Sequence, residues 1–514
     1  MRLEEFDLEL KELPGAMPIW RARVEEAQWR TTCRLVRDKG GRLVALWGAD
    51  HSDRGARYAV HAALTFQSGL IVLVLAVYDG HYPDISDIFP AASRMQRAVY
   101  DLFGIGATDS ADQRKWLRHA AWPADVFPLR KSFDAARSFP NGVDAYPFVQ
   151  VGGEGVHEIP VGPVHAGTIE PGHFRFSIVG EGVLRMEERF AYKHKGVEKR
   201  FEQMDLAQGA RLAGRISCDS TVAYAWAYAM AAESVTGVTP PQRALWLRAL
   251  LLERERVGQH LWDLGFLGND AGLAFGFAQF SRLREDWLRV SHALFGHRYL
   301  MDTIVPGGVA RDINDTAITW LRTEIEEVRR QVKLLKNIYD EHAGLQDRFI
   351  GCGRVKPETA ERLGLTGFAG RASAVAWDLR VQFPPVPYDI FDVAMATHRN
   401  GDVAARVIVR FDEIAESLRL MELIFSSLPA GDIATPLQYA APDNAFGVGW
   451  VEGWRGEVLI ALETGPDNRI RRLHPHDPSW QNWPLLERAV LGNIVPDFPL
   501  INKSFNLSYS GHDL

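Results

Sequence analysis

The sequence predicts an α+β protein, with a small N-terminal α+β domain over residues 1–140 and a larger, mainly helical domain over residues 141–514. Short apolar segments between turn residues occur early in the chain, whereas long helical patterns predominate after residue 206. A chain of 514 residues is long enough for two large domains. Pro123, Pro128 and Pro140 interrupt the intervening stretch, which places the expected boundary near residue 140.

The N-terminal domain is expected to contain a small sheet and one clear helix. Arg42–Trp47, Tyr58–Phe66 and Leu70–Tyr78 are short apolar runs typical of neighbouring strands. Asp87–Phe103 then repeats apolar residues at helical spacing, and Gly104 follows as a C-terminal cap.

The second domain is expected to open with a glycine- and proline-rich segment, Gly152–Gly172, before a strand pair at Phe174–Val179 and Val183–Phe190. Amphipathic or alanine-rich patterns then predict long helices. These helical patterns cover Leu206–Glu233, Pro241–Leu264, Asp315–Leu345 and Arg406–Leu428.

Composition excludes several classes of protein. The chain carries 58 basic and 65 acidic residues, a net charge of −7, which argues against a nucleic-acid binder. Three widely spaced cysteines give no disulfide framework and favour a reducing compartment. The acidic N-terminus lacks a signal-peptide core, and the longest apolar run, near Gly69–Val77, is too short to span a membrane. We therefore expect a protein that is soluble or attached to a membrane through partners.

Common catalytic motifs are absent from the sequence. There is no P-loop, no GxSxG elbow and no HExxH pair, and the glycines at 152–155 do not complete a dinucleotide-binding motif. His474, His476 and Asp477 could hold a metal in principle, but no further ligands stand at an informative spacing. We interpret this proline-containing stretch as a surface loop.

Two groups of longer motifs carry a family resemblance. Arg97–Ile105, which contains DLFGI, and Phe127–Phe133, which reads FPLRKSF, resemble the small peripheral-arm subunit of respiratory complex I. The later motifs resemble the family that joins the quinone-site subunit of complex I with the large subunits of energy-converting nickel–iron hydrogenases. They are GPVH at 162–165, EPGHFRF at 170–176, HKGVEK at 194–199, PGGV at 306–309, GRAS at 370–373, WDLR at 377–380, LPAG at 428–431 and EGWRGE at 452–457.

The fused order is similar to the large subunit of formate hydrogenlyase-type, or hydrogenase-4-like, complexes. The resemblance implies a hydrogenase-like helical domain and oxidoreductase activity with NAD and quinone binding at family level, although no NAD motif occurs in this chain. It implies an iron–sulfur partner subunit and membrane-embedded ion-translocating partners. The expected location is cytoplasmic, on the inner side of the cell membrane and attached through those partners.

The resemblance also implies four metal-ligand positions, because the related hydrogenases hold nickel and iron with four thiolates. Those positions are occupied here by Ser217, Ser220, Ser508 and Gly511. A neutral hydroxyl is a poor ligand for such a soft centre, and glycine offers no side chain. We therefore expect no nickel–iron centre and no cofactor bound by this chain. The chain ends three residues after Gly511, so we expect no tail of the kind that hydrogenase maturation removes.

The quinone-binding residues of complex I are also altered. The tyrosine that bonds the quinone head group in that family corresponds to Cys218, a weak donor. The partner histidine falls in the loop that contains His165 and His173, where the spacing does not fix one match. Either histidine could relay a proton near pH 7, or it could satisfy carbonyl groups of the loop.

Two charged residues remain as candidates for catalysis. Glu198 matches the glutamate that hydrogenases use as first proton acceptor; the alternative is an exposed helix-start residue paired with Lys195 or Lys199. Arg455 matches the arginine beside the hydrogenase metals and could instead pair with an acid such as Asp219.

Three functions stay open from the sequence. The first is an oxidoreductase subunit at which electrons from an iron–sulfur partner reach a quinone or another acceptor, coupled to ion transport. The second is a non-catalytic scaffold that couples conformation between partners. The third, a working hydrogen-evolving hydrogenase, is disfavoured by the missing thiolates. The electron donor, the acceptor, ion pumping and the number of partners are not fixed by residue identity.

Overall fold

The computed structural model describes residues 3–55, 57–143, 145–165, 169–437 and 441–514. It confirms the α+β class, with a small N-terminal sheet followed by a larger, mainly helical part. No helix in these ranges is both long and apolar enough to cross a membrane. The division at residue 140 stays a prediction.

The N-terminal sheet has five strands in the order β1-β2-β5-β4-β3. Strand β2 pairs with β5 in parallel, and the other pairs are antiparallel. The strands are Lys11–Glu12 (β1), Ile19–Val24 (β2), Leu43–Asp50 (β3), Tyr58–Phe66 (β4) and Gly69–Val77 (β5), with helices Glu26–Asp38 (α1) and Ala92–Phe103 (α2). His81–Pro83 (β6), which precedes α2 in the chain, pairs in parallel with Gly106–Thr108 (β7), which follows α2.

The two N-terminal motifs pack against each other. Gly104 caps α2 with a φ of 71°, and a side chain there would collide with Phe127 and Arg130. Arg130 Nε donates to Phe103 O at 2.7 Å, and Lys131 N donates to Asp50 Oδ2 at 2.8 Å. The DLFGI and FPLRKSF segments therefore form one structural unit.

Antiparallel sheets and a helical core form the rest of the chain. The first sheet, in the order β10-β9-β8, comprises Val156–Val161 (β8), His173–Val179 (β9) and Gly182–Arg189 (β10). A short pair follows at Ile304–Val305 (β11) and Gly308–Val309 (β12). The last sheet comprises Phe446–Glu452 (β13), Glu457–Thr464 (β14) and Ile470–His476 (β15).

The helices include one of 29 residues, α6, which is buried along most of its length. They are Val197–Phe201 (α3), Leu206–Ala213 (α4), Thr221–Thr236 (α5), Gln242–Asp270 (α6), Ala274–Phe295 (α7), Asp315–Glu341 (α8), Ala343–Phe349 (α9), Pro357–Leu363 (α10), Gly367–Arg371 (α11), Leu379–Gln382 (α12), Val403–Ser427 (α13), Ser479–Ala489 (α14), Phe498–Phe505 (α15) and Tyr509–Asp513 (α16). Short 3₁₀ turns occupy Leu3–Phe6, Ser52–Arg54, Cys218–Ser220, Tyr388–Ile390, Pro466–Asn468 and Val495–Asp497.

Two predicted helices are each divided in the structure. The pattern over Leu206–Glu233 forms α4 and α5, because Arg215–Ser220 leaves the helix and Ser217 and Asp219 hydrogen-bond each other at 2.6 Å. The pattern over Asp315–Leu345 forms α8 and α9, because His342 takes extended backbone angles and its side chain caps α9.

One predicted loop is a strand. The stretch around His474 and His476 belongs to the buried strand β15, so the surface-loop interpretation is wrong. Proline is tolerated there because β15 is the edge strand of its sheet. Trp47 of β3 stacks between His61 and His474, with ring centroids 5.0 Å apart on each side, and so joins the N-terminal sheet to β15.

Candidate functional site

The two segments that carry the positions matched to metal ligands by the resemblance meet in the folded chain. Ser217 Oγ lies 2.9 Å from Ser508 Oγ, and both side chains are buried. Ser508 also caps α16, because its hydroxyl accepts a hydrogen bond from Gly511 N at 2.8 Å. Arg455 reaches Ser220 Oγ at 3.2 Å. The four positions therefore lie around one point, which we call the serine centre (Ser217, Ser220, Ser508 and Gly511).

Asp477 occupies the space in front of Gly511. A Cβ atom on Gly511 would overlap the Asp477 carboxylate and approach Ser508 Oγ. Asp477 is 1% exposed, accepts a hydrogen bond from Tyr224 Oη at 2.7 Å and accepts another from Ser479 N at 2.8 Å. The fourth ligand position is thus closed by a carboxylate of the same chain.

Arg455 pairs with Asp219, as one of the two sequence alternatives stated. Its guanidinium donates to Asp219 Oδ2 and to the carbonyl of Asn506, and it stacks 4.1 Å from the Trp454 ring. Burial alone would raise the pKa of Asp219, but Arg455 and the Ser217 hydroxyl hold that pKa below its ordinary value. A cation and its paired anion therefore lie beside the hydroxyls of the serine centre.

Glu198 is buried and does not pair with Lys195 or Lys199. It accepts hydrogen bonds from Arg472 Nη2 at 2.7 Å and from His474 Nδ1 at 2.9 Å. Burial raises the pKa of Glu198, but Arg472 and His474 outweigh that effect and lower the pKa to about 2. Glu198 is thus a permanently ionised carboxylate at neutral pH in this arrangement.

The two lysines beside Glu198 bond elsewhere. Lys195 Nζ donates to Ile216 O at 3.0 Å, and Lys199 Nζ donates to Glu202 at 2.9 Å. A cavity of about 20 Å³ borders Glu198 and His474, which is room for one water molecule.

His165 and His173 both hydrogen-bond carbonyls of their own loop, part of which, residues 166–168, lies outside the described residues. His165 Nε2 is 2.7 Å from Gly172 O, and His173 Nδ1 is 3.2 Å from Gly162 O. Burial lowers the pKa of His173. The loop-carbonyl alternative is therefore what the geometry shows for both rings.

Cys218 is exposed next to the serine centre. The sulfur itself is partly covered by its surroundings. This partial burial, together with the carboxylates of Asp219 and Glu170, raises the pKa of the Cys218 thiol. A neutral thiol there can act as a weak donor toward a ligand that approaches from outside.

Several site residues were missed from the sequence. Asp477 and His474 were assigned to a loop, and Arg472 was not singled out. Tyr224 is buried in α5, and its hydroxyl bonds Asp477. Within the described residues, no group of three or more His, Cys, Asp or Glu side chains is placed to hold a metal ion.

Family models match two parts of the chain. Residues 22–138 match the 30 kDa subunit of respiratory-chain NADH dehydrogenase, and residues 270–446 match its 49 kDa subunit. These matches agree with the order of the motifs in the sequence.

Whole-chain relatives combine both parts. Formate hydrogenlyase subunit 5 of Escherichia coli is 30% identical over 93% of this chain and 86% of its own length. Hydrogenase-4 component G of Escherichia coli is 31% identical over 92% of this chain and 84% of its own length. The NADH-quinone oxidoreductase C/D protein of Bacteroides thetaiotaomicron is 29% identical over 83% of this chain and 86% of its own length.

A solved structure is similar as well. A chain of the membrane-bound sulfane sulfur reductase, an archaeal respiratory membrane complex, matches with a TM-score of 0.66 and 26% identity. The match covers 70% of this chain and 99% of that chain.

Proposed function

Because this chain belongs to the family that contains formate hydrogenlyase subunit 5 and hydrogenase-4 component G, related to complex I subunits, we propose a role within that family's chemistry. The chain is the large peripheral subunit of a membrane-associated oxidoreductase complex and works without a nickel–iron centre. It lies against an iron–sulfur subunit and is attached to the inner side of the membrane through partners. The closed serine centre is the observation that carries this proposal.

The donor set of the serine centre does not fit nickel and iron. Soft metals of this kind require thiolates, whereas Ser217, Ser220 and Ser508 offer neutral hydroxyls that already bond each other or Arg455. Asp477 fills the space that a fourth side chain at Gly511 would need. No step of the proposed function passes through such a metal.

Electron transfer in the proposal occurs at the surface near Cys218. Electrons arrive from the partner's iron–sulfur cluster, and the acceptor is a quinone or another oxidant that approaches this exposed edge. Arg455 and Glu198 supply fixed charges nearby, positive and negative respectively. His165 and His173 hold the adjoining loop in place through its carbonyls.

A non-catalytic coupling role is the second candidate, and the same closed centre favours it. A polar network with no free ligand position transmits movement between partner subunits without binding an acceptor. The rate at which the native complex reduces added quinones separates the two candidate functions. If this chain is only a scaffold, quinone reduction does not depend on Cys218. A Cys218→Ala variant with unchanged turnover supports the scaffold, and a loss of turnover supports the acceptor site.

The first test is the nickel and iron content of the natively purified complex, together with the identity of its co-purifying subunits. The proposal expects iron from an iron–sulfur partner and no stoichiometric nickel. Formate hydrogenlyase prepared in the same way serves as the control for retention of nickel. Stoichiometric nickel, or hydrogen uptake by the complex, would overturn the proposal.

A further inference from the structure

A cluster of buried charged residues forms where three of the family-like motifs meet in the folded chain. GRAS supplies Arg371, WDLR supplies Asp378 and Arg380, and EGWRGE supplies Glu452. Helices α6 and α13 add the remaining members. The buried cluster consists of Arg256, Arg371, Arg380, Glu253, Asp378, Glu413 and Glu452, each at most 3% exposed.

The buried cluster has one more acid than base. It contains three guanidinium groups and four carboxyl groups. The neighbouring His260 bonds Glu413 at 2.8 Å, but burial lowers the pKa of His260 and leaves its ring neutral. An unpaired charge away from water is costly, so the neutral state of the cluster has one protonated carboxyl group.

Three of the four carboxylates are fully engaged as anions. Glu253 accepts from Arg380, from Tyr388 Oη at 2.6 Å and from Ser417 Oγ at 2.6 Å. Asp378 forms a two-point pair with Arg380 at 2.7 and 3.0 Å. Two nitrogens of Arg371 donate to Glu413, at 2.7 and 3.0 Å.

Glu452 is held less strongly. Its side chain accepts from one nitrogen of Arg371 at 2.9 Å, and that nitrogen also donates to the Trp377 carbonyl at 2.9 Å. Within the described residues, its second oxygen accepts a hydrogen bond from the Leu379 amide alone, at 3.2 Å. The side chain also faces Glu457, its cross-strand neighbour in β14. The odd proton of the cluster is therefore most stable on Glu452.

We propose that Glu452 is a proton-loading residue, which takes up and releases one proton while the other members of the buried cluster keep their charges. The step moves a proton from a hydronium ion to a carboxylate oxygen of Glu452 and leaves a water molecule, with no change of oxidation state. Burial, followed by the negative charges of Asp378 and Glu457, raises the pKa of Glu452 to about 7 against the opposing effect of Arg371. Arg371 and His260 keep the pKa of Glu413 well below its ordinary value.

A short route connects Glu452 to solvent. Glu457 is bonded by the Arg42 guanidinium and by the Trp377 indole N–H. Arg42 and Trp377 both line a cleft of about 770 Å³ between the N-terminal sheet and α10. Glu457 therefore stands between residues that line the cleft and its cross-strand neighbour Glu452.

Glu452 also lies close in the chain to Arg455, which contacts the serine centre. Glu452 stands three residues before Arg455. Arg256 donates to the Glu452 carbonyl at 2.8 Å, and Trp454 Nε1 donates to Asp219 O at 2.8 Å. A proton on Glu452 therefore offsets negative charge that arrives near Arg455. This use of the proton rests on the proposed function, whereas the proton binding itself does not.

An infrared pH titration of the natively purified complex tests the proposal without turnover. The C=O band of protonated carboxyl groups is followed from pH 5 to pH 9 in the parent protein and in Glu452→Gln and Glu255→Gln variants. The parent is expected to lose one such band with a midpoint of about pH 7, from Glu452, and a second with a midpoint of about pH 8, from Glu255. Glu452→Gln is expected to lack the band that disappears near pH 7.

Glu255→Gln is the matched control. Glu255 is a second buried carboxyl group, which accepts from the amides of Val222 and Ala223, and burial raises its pKa to about 8. The control variant should keep the transition near pH 7. Retention of that transition in Glu452→Gln, or its absence from the parent protein, would overturn the proposal.

Folding of the variants gives a second readout. Glu452→Gln leaves three cations with three anions, so this variant should fold with parental stability at pH 8. Glu413→Gln removes a fully engaged anion and should lower the unfolding midpoint strongly. Equal destabilisation by both substitutions would contradict the charge count. Because neither readout depends on nickel or quinone, the proton site and the proposed function can fail separately.

Discussion

The hydroxyl oxygens of Ser217 and Ser508 lie 2.9 Å apart, although 291 positions separate the two residues in the chain. In the related hydrogenases, the resemblance implies metal thiolates at these two positions. A direct hydrogen bond between hydroxyls replaces that bridge here and keeps the two segments together. The fold of the family is thus retained around a centre that its own side chains close.

Gly511 is expected to be intolerant of any side chain. Gly511→Ala places a methyl group against the Asp477 carboxylate, and overpacking of this kind typically costs about 1–3 kcal/mol. The measurement is the free energy of unfolding in urea. Gly152→Ala is the control, because that glycine has open space around it. A Gly511→Ala variant as stable as the control would show that Asp477 moves aside easily.

The Tyr224 hydroxyl is expected to stabilise the ionised Asp477. Tyr224→Phe removes a hydrogen bond to a buried carboxylate, which should cost about 1.5–3 kcal/mol. Tyr228→Phe, on the same face of α5, removes a bond to the neutral carbonyl of Leu206 and should cost about 0.5–1.5 kcal/mol. Thermal and urea unfolding compare the two variants, and the reverse order of stability would show that the bond to Asp477 contributes less than the bond to Leu206.

The Arg455–Asp219 pair is expected to contribute measurably to stability. Arg455→Gln should cost about 2 kcal/mol, less than the 3–5 kcal/mol of a fully buried pair, because the Asp219 side chain is 29% exposed. Arg215→Gln breaks an exposed pair with Asp302 and should cost under about 1 kcal/mol. A double-mutant cycle with Asp219→Asn measures the coupling, and strict additivity would exclude a direct interaction.

Glu198 is expected to control stability on the acid side. Its pKa falls from the ordinary 4.5 to about 2 on folding, so its contribution is complete above pH 4.5 and declines as the pH falls toward 2. The shift corresponds to about 3 kcal/mol. Urea midpoints between pH 2 and 6 should therefore vary less in Glu198→Gln than in the parent protein. An unchanged acid limb in the variant would show that other carboxylates dominate.

Much of the fold could be predicted from local patterns. The strands at Tyr58–Phe66 and Phe174–Val179 and the helix at Arg406–Leu428 agree with the structure within a few residues, because each buries a periodic apolar face. Helix α7 was not predicted, and neither was the sheet formed by β13, β14 and β15. Strand β15 was missed because its proline indicates a loop unless the strand lies at an edge.

The candidate site, like the fold, could be predicted from the sequence only in part. The sequence by itself determined the family motifs, the serines and glycine at the four positions where the resemblance implies thiolates, and the presence of Glu198 and Arg455. Only the tertiary structure decided that Asp477 fills the place in front of Gly511 and that Glu198 pairs with Arg472 and His474. Residue identities and their spacing in the sequence specify local geometry. The pairing of buried polar groups depends instead on which distant segments pack together in the interior, away from water.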